Sequence, residues 1–332
     1  MSSDGQYRVG IIGCGGIARA HVRGHMSVPA TTVVAGADPF KDQRDSFIAR
    51  FPGLRMYSDA REMLEAEKPD LVSVCTWPPL HAPLVVLAAE SGVKGILCEK
   101  PMAVNLEEAD RMVAACERNG VKLVISHQRR FNKRYMEAKA ALKAGRIGDL
   151  IEIRGMCIGD LLTDGTHNID LIRYFADDEP IKWVMGQINR RPWGTFGKDT
   201  TRYGHQIEAA TVARFDFANG VRGIMETGEC SRPVYQRIFL EGTKGWIEVD
   251  GDRGRDGGPS GWRIWAEGQA GWEEHVIEQE ANAFGLEIEE MLRWIEQGGE
   301  HLLSGQSARA DTEVLMAVYE SARQRSAIEL PL

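Results

Sequence analysis

Between residues 10 and 18 the chain reads Gly10-Ile11-Ile12-Gly13-Cys14-Gly15-Gly16-Ile17-Ala18, a glycine-rich turn that follows an apolar run and opens a helical pattern. Each small residue has a reason in phosphate chemistry. Gly13 permits the tight turn, Gly15 lets a pyrophosphate approach the backbone, and Ala18 keeps the helix close to the strand. The helix-end N–H groups around Gly16 and Ile17 then face the phosphates. Asp38 stands twenty residues after Ala18 at the end of the second strand-like run, where a carboxylate accepts hydrogen bonds from the adenosine ribose hydroxyls. An acid there also repels a 2'-phosphate, so NAD is expected over NADP, with Lys41 and Arg44 keeping that choice open.

In an open parallel sheet, ligands bind beyond the carboxyl ends of the strands. Three further strand ends carry polar residues: Thr76-Trp77-Pro78-Pro79-Leu80-His81, Glu99-Lys100-Pro101 and His127-Gln128-Arg129-Arg130. Thr76, Trp77, His81, Glu99, Lys100 and Gln128 are therefore candidate cofactor contacts, and Arg130 a candidate substrate ligand. His81 reads equally as a helix-start residue, and Arg129 and Arg130 as solvated or domain-bridging side chains. His205, in Arg202-Tyr203-Gly204-His205-Gln206, precedes a strand and is either a substrate-pocket residue or an ordinary loop histidine.

The elements that must position these groups change character near residue 128. Up to residue 127, short runs at Tyr7 to Ile12, Thr32 to Ala37, Asp70 to Cys75, Gly95 to Cys98 and Val121 to Ser126 alternate with helical patterns, the rhythm of βαβ units and a parallel sheet. Asn105 to Asn119 has a helix-capping Asn105, a Glu108 that completes a capping-box-like pair, and a terminating Gly120. Beyond 128, a helical segment from Asn132 to Ala144 precedes strands with alternating polarity. The clearest hairpin is Ala210 to Phe217 joined through Ala218-Asn219-Gly220 to Val221 to Thr227. Helical patterns at Glu280 to Gln297 and Ser307 to Gln324 close the chain. The expected fold class is α/β: an amino-terminal Rossmann domain with a parallel sheet (residues 1–127), then an α+β domain with an open, mainly antiparallel sheet (residues 128–332) for substrate binding and oligomerisation.

Composition narrows the class. With 40 Lys and Arg against 48 Asp and Glu, the net charge of -8 opposes a phosphate backbone, so no nucleic-acid partner is expected. No run approaches about 18 apolar residues, and the first residues lack the basic and hydrophobic regions of a signal peptide. A cytoplasmic protein without a membrane association is expected. Six cysteines lie scattered without CxxC spacing and read as buried free thiols, with no metal site. Trp262, Trp265 and Trp272 read as core or subunit-contact residues before sugar-stacking ones.

Taken together, Gly13-Cys14-Gly15-Gly16-Ile17-Ala18, Thr76 to His81, Glu99-Lys100-Pro101, His167-Asn168-Ile169-Asp170 and the terminal Glu329-Leu330-Pro331-Leu332 resemble the Gfo/Idh/MocA family of NAD(P)-dependent oxidoreductases over essentially the whole chain. The resemblance implies a nicotinamide-side or catalytic lysine at Lys100, often followed by a cis proline, and an acid–base histidine at His167. A charged ammonium is opposed by the oxidised nicotinamide, so Lys100 can share a proton with the reacting oxygen. His167 can take the hydroxyl proton, since imidazole titrates near neutral pH. Many relatives carry an aspartate four residues before the histidine; here that position is Thr163, with Asp164 next to it. Asp164 is expected either to orient His167 or to cap the helix Gly165 to Phe175. Asp170 is a second candidate orienter, or a partner of Arg173.

The implied activity is hydride transfer between NAD(H) and a secondary alcohol or ketone of a sugar, sugar acid or cyclitol. Two alternatives stay open: a glycosidase or lyase in which tightly bound NAD oxidises a sugar transiently, and a non-catalytic NAD-sensing regulator. An open sheet with one uncovered face further implies a homodimer or homotetramer.

Overall fold

The computed structural model describes residues 5–189, 201–228, 236–251 and 260–332. The chain divides into two units: Met1–Gln128 with Asn282–Arg309, and Arg129–Ala281 with Ala310–Leu332.

In the first unit, strands β1 (Tyr7–Ile12), β2 (Thr31–Ala37), β3 (Arg55–Tyr57), β4 (Leu71–Val74), β5 (Gly95–Cys98) and β6 (Lys122–Ile125) form one parallel sheet in the order β3-β2-β1-β4-β5-β6. Its central strands are buried throughout, which is why they read as continuous apolar runs. The chain runs outward from β1 in one direction and then from β4 in the other. The order therefore reverses between β1 and β4, at the crevice where such sheets take ligands. Helices α1 (Ala18–Met26), α2 (Lys41–Arg50), α3 (Ala60–Glu67), α4 (His81–Glu90) and α5 (Leu106–Arg118) make the crossovers. Helix α5 starts as its sequence requires, with the Glu108 N–H donating to Asn105 Oδ1 at 2.8 Å. Gly120, at φ +67°, lies just beyond its end.

The second unit opens with α6 (Lys133–Lys143), β7 (Leu150–Cys157), α7 (Gly165–Phe175) and β8 (Ile181–Asn189). A two-stranded ribbon, β9 (Thr201–Arg202) and β10 (His205–Gln206), turns through Tyr203 and Gly204, both at positive φ. Then come β11 (Ala210–Phe217), β12 (Arg222–Gly228), β13 (Gln236–Gly242), β14 (Gly245–Asp250), β15 (Gly261–Ala266) and β16 (Glu273–Val276). With β17 (Ile328–Glu329) they form a nine-stranded sheet ordered β16-β15-β14-β13-β7-β12-β11-β8-β17, in which β7–β12 is the parallel pair. Gly220, at φ +89°, makes the β11–β12 turn, and Ala210 pairs with Gly228 at the far end. One face of the sheet lies under α7. A Cβ on Gly155 of β7 would meet Asn168 Oδ1 of that helix at 2.1 Å, so only glycine allows this approach.

The chain then returns to the first unit. Helix α8 (Ala283–Gln297), capped by Asn282 on the Gly285 N–H, packs on α1. Gly24 makes room for it: a Cβ there would stand 2.8 Å from Phe284 Cβ. Helix α9 (Gly305–Gln324) begins in the first unit and ends in the second. Residues 282–309 thus depart from the sequence-based division at 127/128, because α8 buries Ile288, Met291 and Leu292 as part of the first unit's core.

Cys14, Cys75, Cys98, Cys116 and Cys157 are buried free thiols, while Cys230 lies outside the described residues. Trp262 is buried, stacks on His275 with ring centroids 3.8 Å apart and donates to Glu137 Oε2. Trp265 packs on Trp246 and Trp272 on the Arg263 guanidinium. All three serve packing within the second unit.

Candidate active site

Gly13 takes φ +86°, and a Cβ on it would lie 2.9 Å from the backbone C and O of Cys75. The turn therefore nests against the end of β4. Gly15 and Gly16 are different: a Cβ on either would meet nothing within 4 Å, so their backbone faces open space of the kind a dinucleotide phosphate needs. Ile17 is partly exposed at the N-cap of α1, and Ala18 is wholly buried against the sheet.

Asp38 is buried and its carboxylate is already engaged. Oδ2 accepts the Cys14 N–H and Oδ1 the Phe40 N–H, each at 2.9 Å. The aspartate thus pins the glycine turn to the end of β2, and each oxygen keeps a second lone-pair site for a ribose hydroxyl. Arg44 donates to the carbonyls of Asp38 and Pro39. Burial, with the Asp38 charge beside it, pushes the Cys14 thiol up to about 12 and leaves it without nucleophilic character.

Thr76 is half-buried with, among the described residues, no hydrogen-bond partner on Oγ1, and Trp77 is exposed. His81 corrects the sequence reading as a cofactor contact. It is wholly buried, its Nδ1 is 2.9 Å from the Pro101 carbonyl and its Nε2 is 3.1 Å from the Thr76 carbonyl. Burial lowers the His81 pKa and keeps the ring neutral, so its single N–H donates to one of these two carbonyls and both nitrogens are enclosed between the β4 and β5 loops. Glu99 is buried beside it and faces His21 Nε2 at 2.9 Å, while the Lys100 N–H donates to its other oxygen at 3.2 Å. Burial alone would raise the Glu99 pKa, but the His21 hydrogen bond leads the effects that hold it lower. The Glu99 carboxylate is thus ionised and fixes the backbone of half-buried Lys100, whose bond to Pro101 is cis. Gln128 is half-buried, with no partner on Oε1 among the described residues.

In the second unit, His167 sits buried near the start of α7 and donates its backbone N–H to the Asp164 carbonyl. Of the two roles expected of Asp164, the helix cap is not made. Its side chain instead pairs with Arg202 Nη1 at 2.6 Å. Arg130 is a second correction. It is fully buried, with Nε on Asp170 Oδ1 at 2.7 Å, Nη1 on Asp178 Oδ2 at 2.6 Å and Nη2 on Asp178 Oδ1 at 2.8 Å. A guanidinium held by two carboxylates is a structural anchor, not a substrate ligand. Asp170 serves that anchor, and Arg173 reaches Asp311 at 2.6 Å.

Two residues of this region escaped sequence reasoning. Asp160 is wholly buried and accepts the Thr163 N–H at 2.7 Å and Arg202 Nη1 at 3.2 Å. Glu208 takes the Leu161 N–H and the Tyr319 hydroxyl, and burial raises its pKa. Asp160 stands seven residues before His167, beyond the three- or four-residue reach that helix spacing tests.

The family model described as "Oxidoreductase family, NAD-binding Rossmann fold" matches residues 7–127, and the "GFO/IDH/MocA C-terminal domain" model matches residues 155–248. The scyllo-inositol 2-dehydrogenase (NAD(+)) of Bacillus subtilis (strain 168) is 30% identical over 264 residues, which are 74% of this chain and 74% of that protein. The chain belongs to the GFO/IDH/MocA oxidoreductase family. A second GFO/IDH/MocA relative, D-apiose dehydrogenase of Paraburkholderia graminis, is 26% identical across 98% of this chain and 90% of its own length. An oxidoreductase from Agrobacterium radiobacter, crystallised with NAD+, L-tartaric acid and magnesium, shares the fold with a TM-score of 0.81 at 20% identity over 98% of both chains. As a GFO/IDH/MocA protein the chain is an oxidoreductase whose first unit is an NAD-binding Rossmann fold. Among the described residues, no helix is long and apolar enough to cross a membrane.

Proposed function

We propose that this oxidoreductase is an NAD-dependent dehydrogenase acting on a secondary alcohol of a sugar, sugar acid or cyclitol. The observation that carries the reading is the glycine turn, open at Gly15 and Gly16 and fastened by Asp38 to the end of β2. Gly13, Gly15, Gly16, Ile17 and Ala18 would hold the pyrophosphate, Asp38 the adenosine ribose, and Thr76, Trp77, Glu99, Lys100 and Gln128 the nicotinamide half. When bound, NAD+ supplies a hydride acceptor at nicotinamide C4. Lys100, its backbone fixed by Glu99, donates to the reacting oxygen, and His167 takes the hydroxyl proton. The relatives named for scyllo-inositol and D-apiose support a polyol or sugar substrate.

The uncovered face of the second unit's sheet exposes Met185 and Val212, which supports a homodimer or homotetramer through that face. Light scattering at micromolar concentration checks it, and a monomer mass refutes it.

The function is tested by mixing the protein with NAD+ and a panel containing scyllo-inositol, myo-inositol and D-apiose. Net NADH is expected, with kcat lowered about 10²- to 10⁴-fold in Lys100→Met and in His167→Asn. Product without net NADH would instead mark transient oxidation by a lyase or glycosidase. Bound NAD with no turnover, and full biological activity in Lys100→Met, would mark a sensor.

A further inference from the structure

The turn that leads into α7 and the β9–β10 ribbon meet at one imidazole. His205 is 8% exposed. Its Nε2 lies 3.1 Å from Thr163 Oγ1 and 3.6 Å from Asp160 Oδ1. Its Nδ1 is buried and, among the described residues, has no hydrogen-bond partner. Asp160, wholly buried, also receives the Thr163 N–H and Arg202 Nη1.

These contacts decide where the ring proton sits. Burial alone would push the Asp160 carboxyl up, but the facing His205 imidazole and the hydrogen bond from Thr163 outweigh it and hold the group below the usual carboxylate range. An ionised carboxylate only accepts, and it repels a lone pair. The proton therefore belongs on Nε2, which faces Asp160, and the lone pair on Nδ1. A buried acceptor without a donor is costly to maintain unless a donor arrives.

We infer that Nδ1 of His205 accepts a hydrogen bond from a substrate hydroxyl other than the one oxidised, with Asp160 and Thr163 as positioning residues that fix the ring's tautomer. The inference rests on the polyol-dehydrogenase reading above. A hydroxyl can donate to this nitrogen, whereas an ether, carbonyl or carboxylate oxygen cannot. The site therefore sorts polyols from their deoxy and O-methyl analogues.

Two readouts on the full-length protein test it. In long-range ¹H–¹⁵N spectra of the ¹⁵N-labelled protein, with His205 assigned by its loss in His205→Asn, Nε2 is expected to be protonated and Nδ1 bare. Adding myo-inositol and NADH should shift the Nδ1 resonance toward that of a hydrogen-bonded nitrogen. A wild-type ring protonated on Nδ1, or no shift on binding, overturns the assignment. In kinetics, His205→Leu should raise KM for the polyol about 10- to 100-fold with kcat within a few-fold. His205→Asn, whose carbonyl oxygen can replace the Nδ1 acceptor, should recover part of the loss. A fall in kcat at unchanged KM overturns the assignment in favour of a base. Shift on binding without turnover sinks the dehydrogenase reading and keeps the site; turnover without a shift does the reverse.

Discussion

Asp38 and Cys14 are joined by a hydrogen bond of 2.9 Å from the Cys14 backbone N–H to Asp38 Oδ2. The residue expected to read the ribose therefore also holds the phosphate turn in shape, and the two tasks are one device. Asp38→Ala should weaken NAD binding about 10- to 100-fold, since a hydrogen bond to a charged group is worth about 1.5–3 kcal/mol. Asp38→Asn, which keeps one carbonyl acceptor, should lose less. Calorimetric titration with NAD checks both, and equal affinity in Asp38→Ala and wild type would refute the coupling.

Gly13 and Gly15 of the turn do different work. Gly13→Ala places a methyl 2.9 Å from the Cys75 backbone at φ +86°, and should destabilise the protein by about 1–3 kcal/mol. Gly15→Ala meets open space, so stability should hold while NAD affinity falls. Urea denaturation read beside NAD titration separates them. A Gly15→Ala variant that binds NAD normally would show that nothing approaches that backbone.

Local chemistry made the Rossmann half legible. Gly13, Asp38 and the strand ends lie within a few residues of the elements that place them, so spacing alone located them. The β11–β12 hairpin was legible for the same reason, through Ala218-Asn219-Gly220. What spacing does not reveal is the direction of a side chain or a distant partner. His81 and Arg130 follow strands as expected, yet both turn inward, His81 to two carbonyls and Arg130 to Asp170 and Asp178. The amphipathic α8 was visible, but its partner α1 was not, because periodicity shows that a face is buried without showing against what. Asp164 and Asp170 each stand three residues from His167, whereas folding gives Asp164 to Arg202, Asp170 to Arg130, and His205 to Thr163 and Asp160.

Arg130 offers a clean contrast between anchor and ligand. Removing one partner of a buried ion pair costs about 3–5 kcal/mol, so Arg130→Leu should lower the urea midpoint sharply. A substrate ligand would instead raise KM with stability intact. Unchanged denaturation with a raised KM would restore the sequence reading of Arg130.

His25 gives the fold a pH dependence of known sign. It is wholly buried with Nε2 3.1 Å from Ser73 Oγ, and burial, aided by His21, holds its imidazole down to about 3 against an ordinary 6.5. The folded state keeps the ring neutral where the unfolded chain protonates it. Its stabilisation is thus complete above 6.5 and is lost as pH falls from 6.5 toward 3. His25→Leu should flatten the pH dependence of unfolding in that window, measured by urea titration at several pH values. A slope identical to wild type would mean that His25 protonates alike in the folded and unfolded states, against this account.

The most direct test of the account follows the hydrogen itself. The protein is incubated with NAD+ and myo-inositol, scyllo-inositol or D-apiose deuterated at the carbinol carbons, and the NADH is weighed by mass spectrometry. Dehydrogenation at the proposed site predicts NADH carrying one deuterium, formed in step with ketone. Unlabelled NADH, or product with no NADH from every one of these substrates, would contradict it.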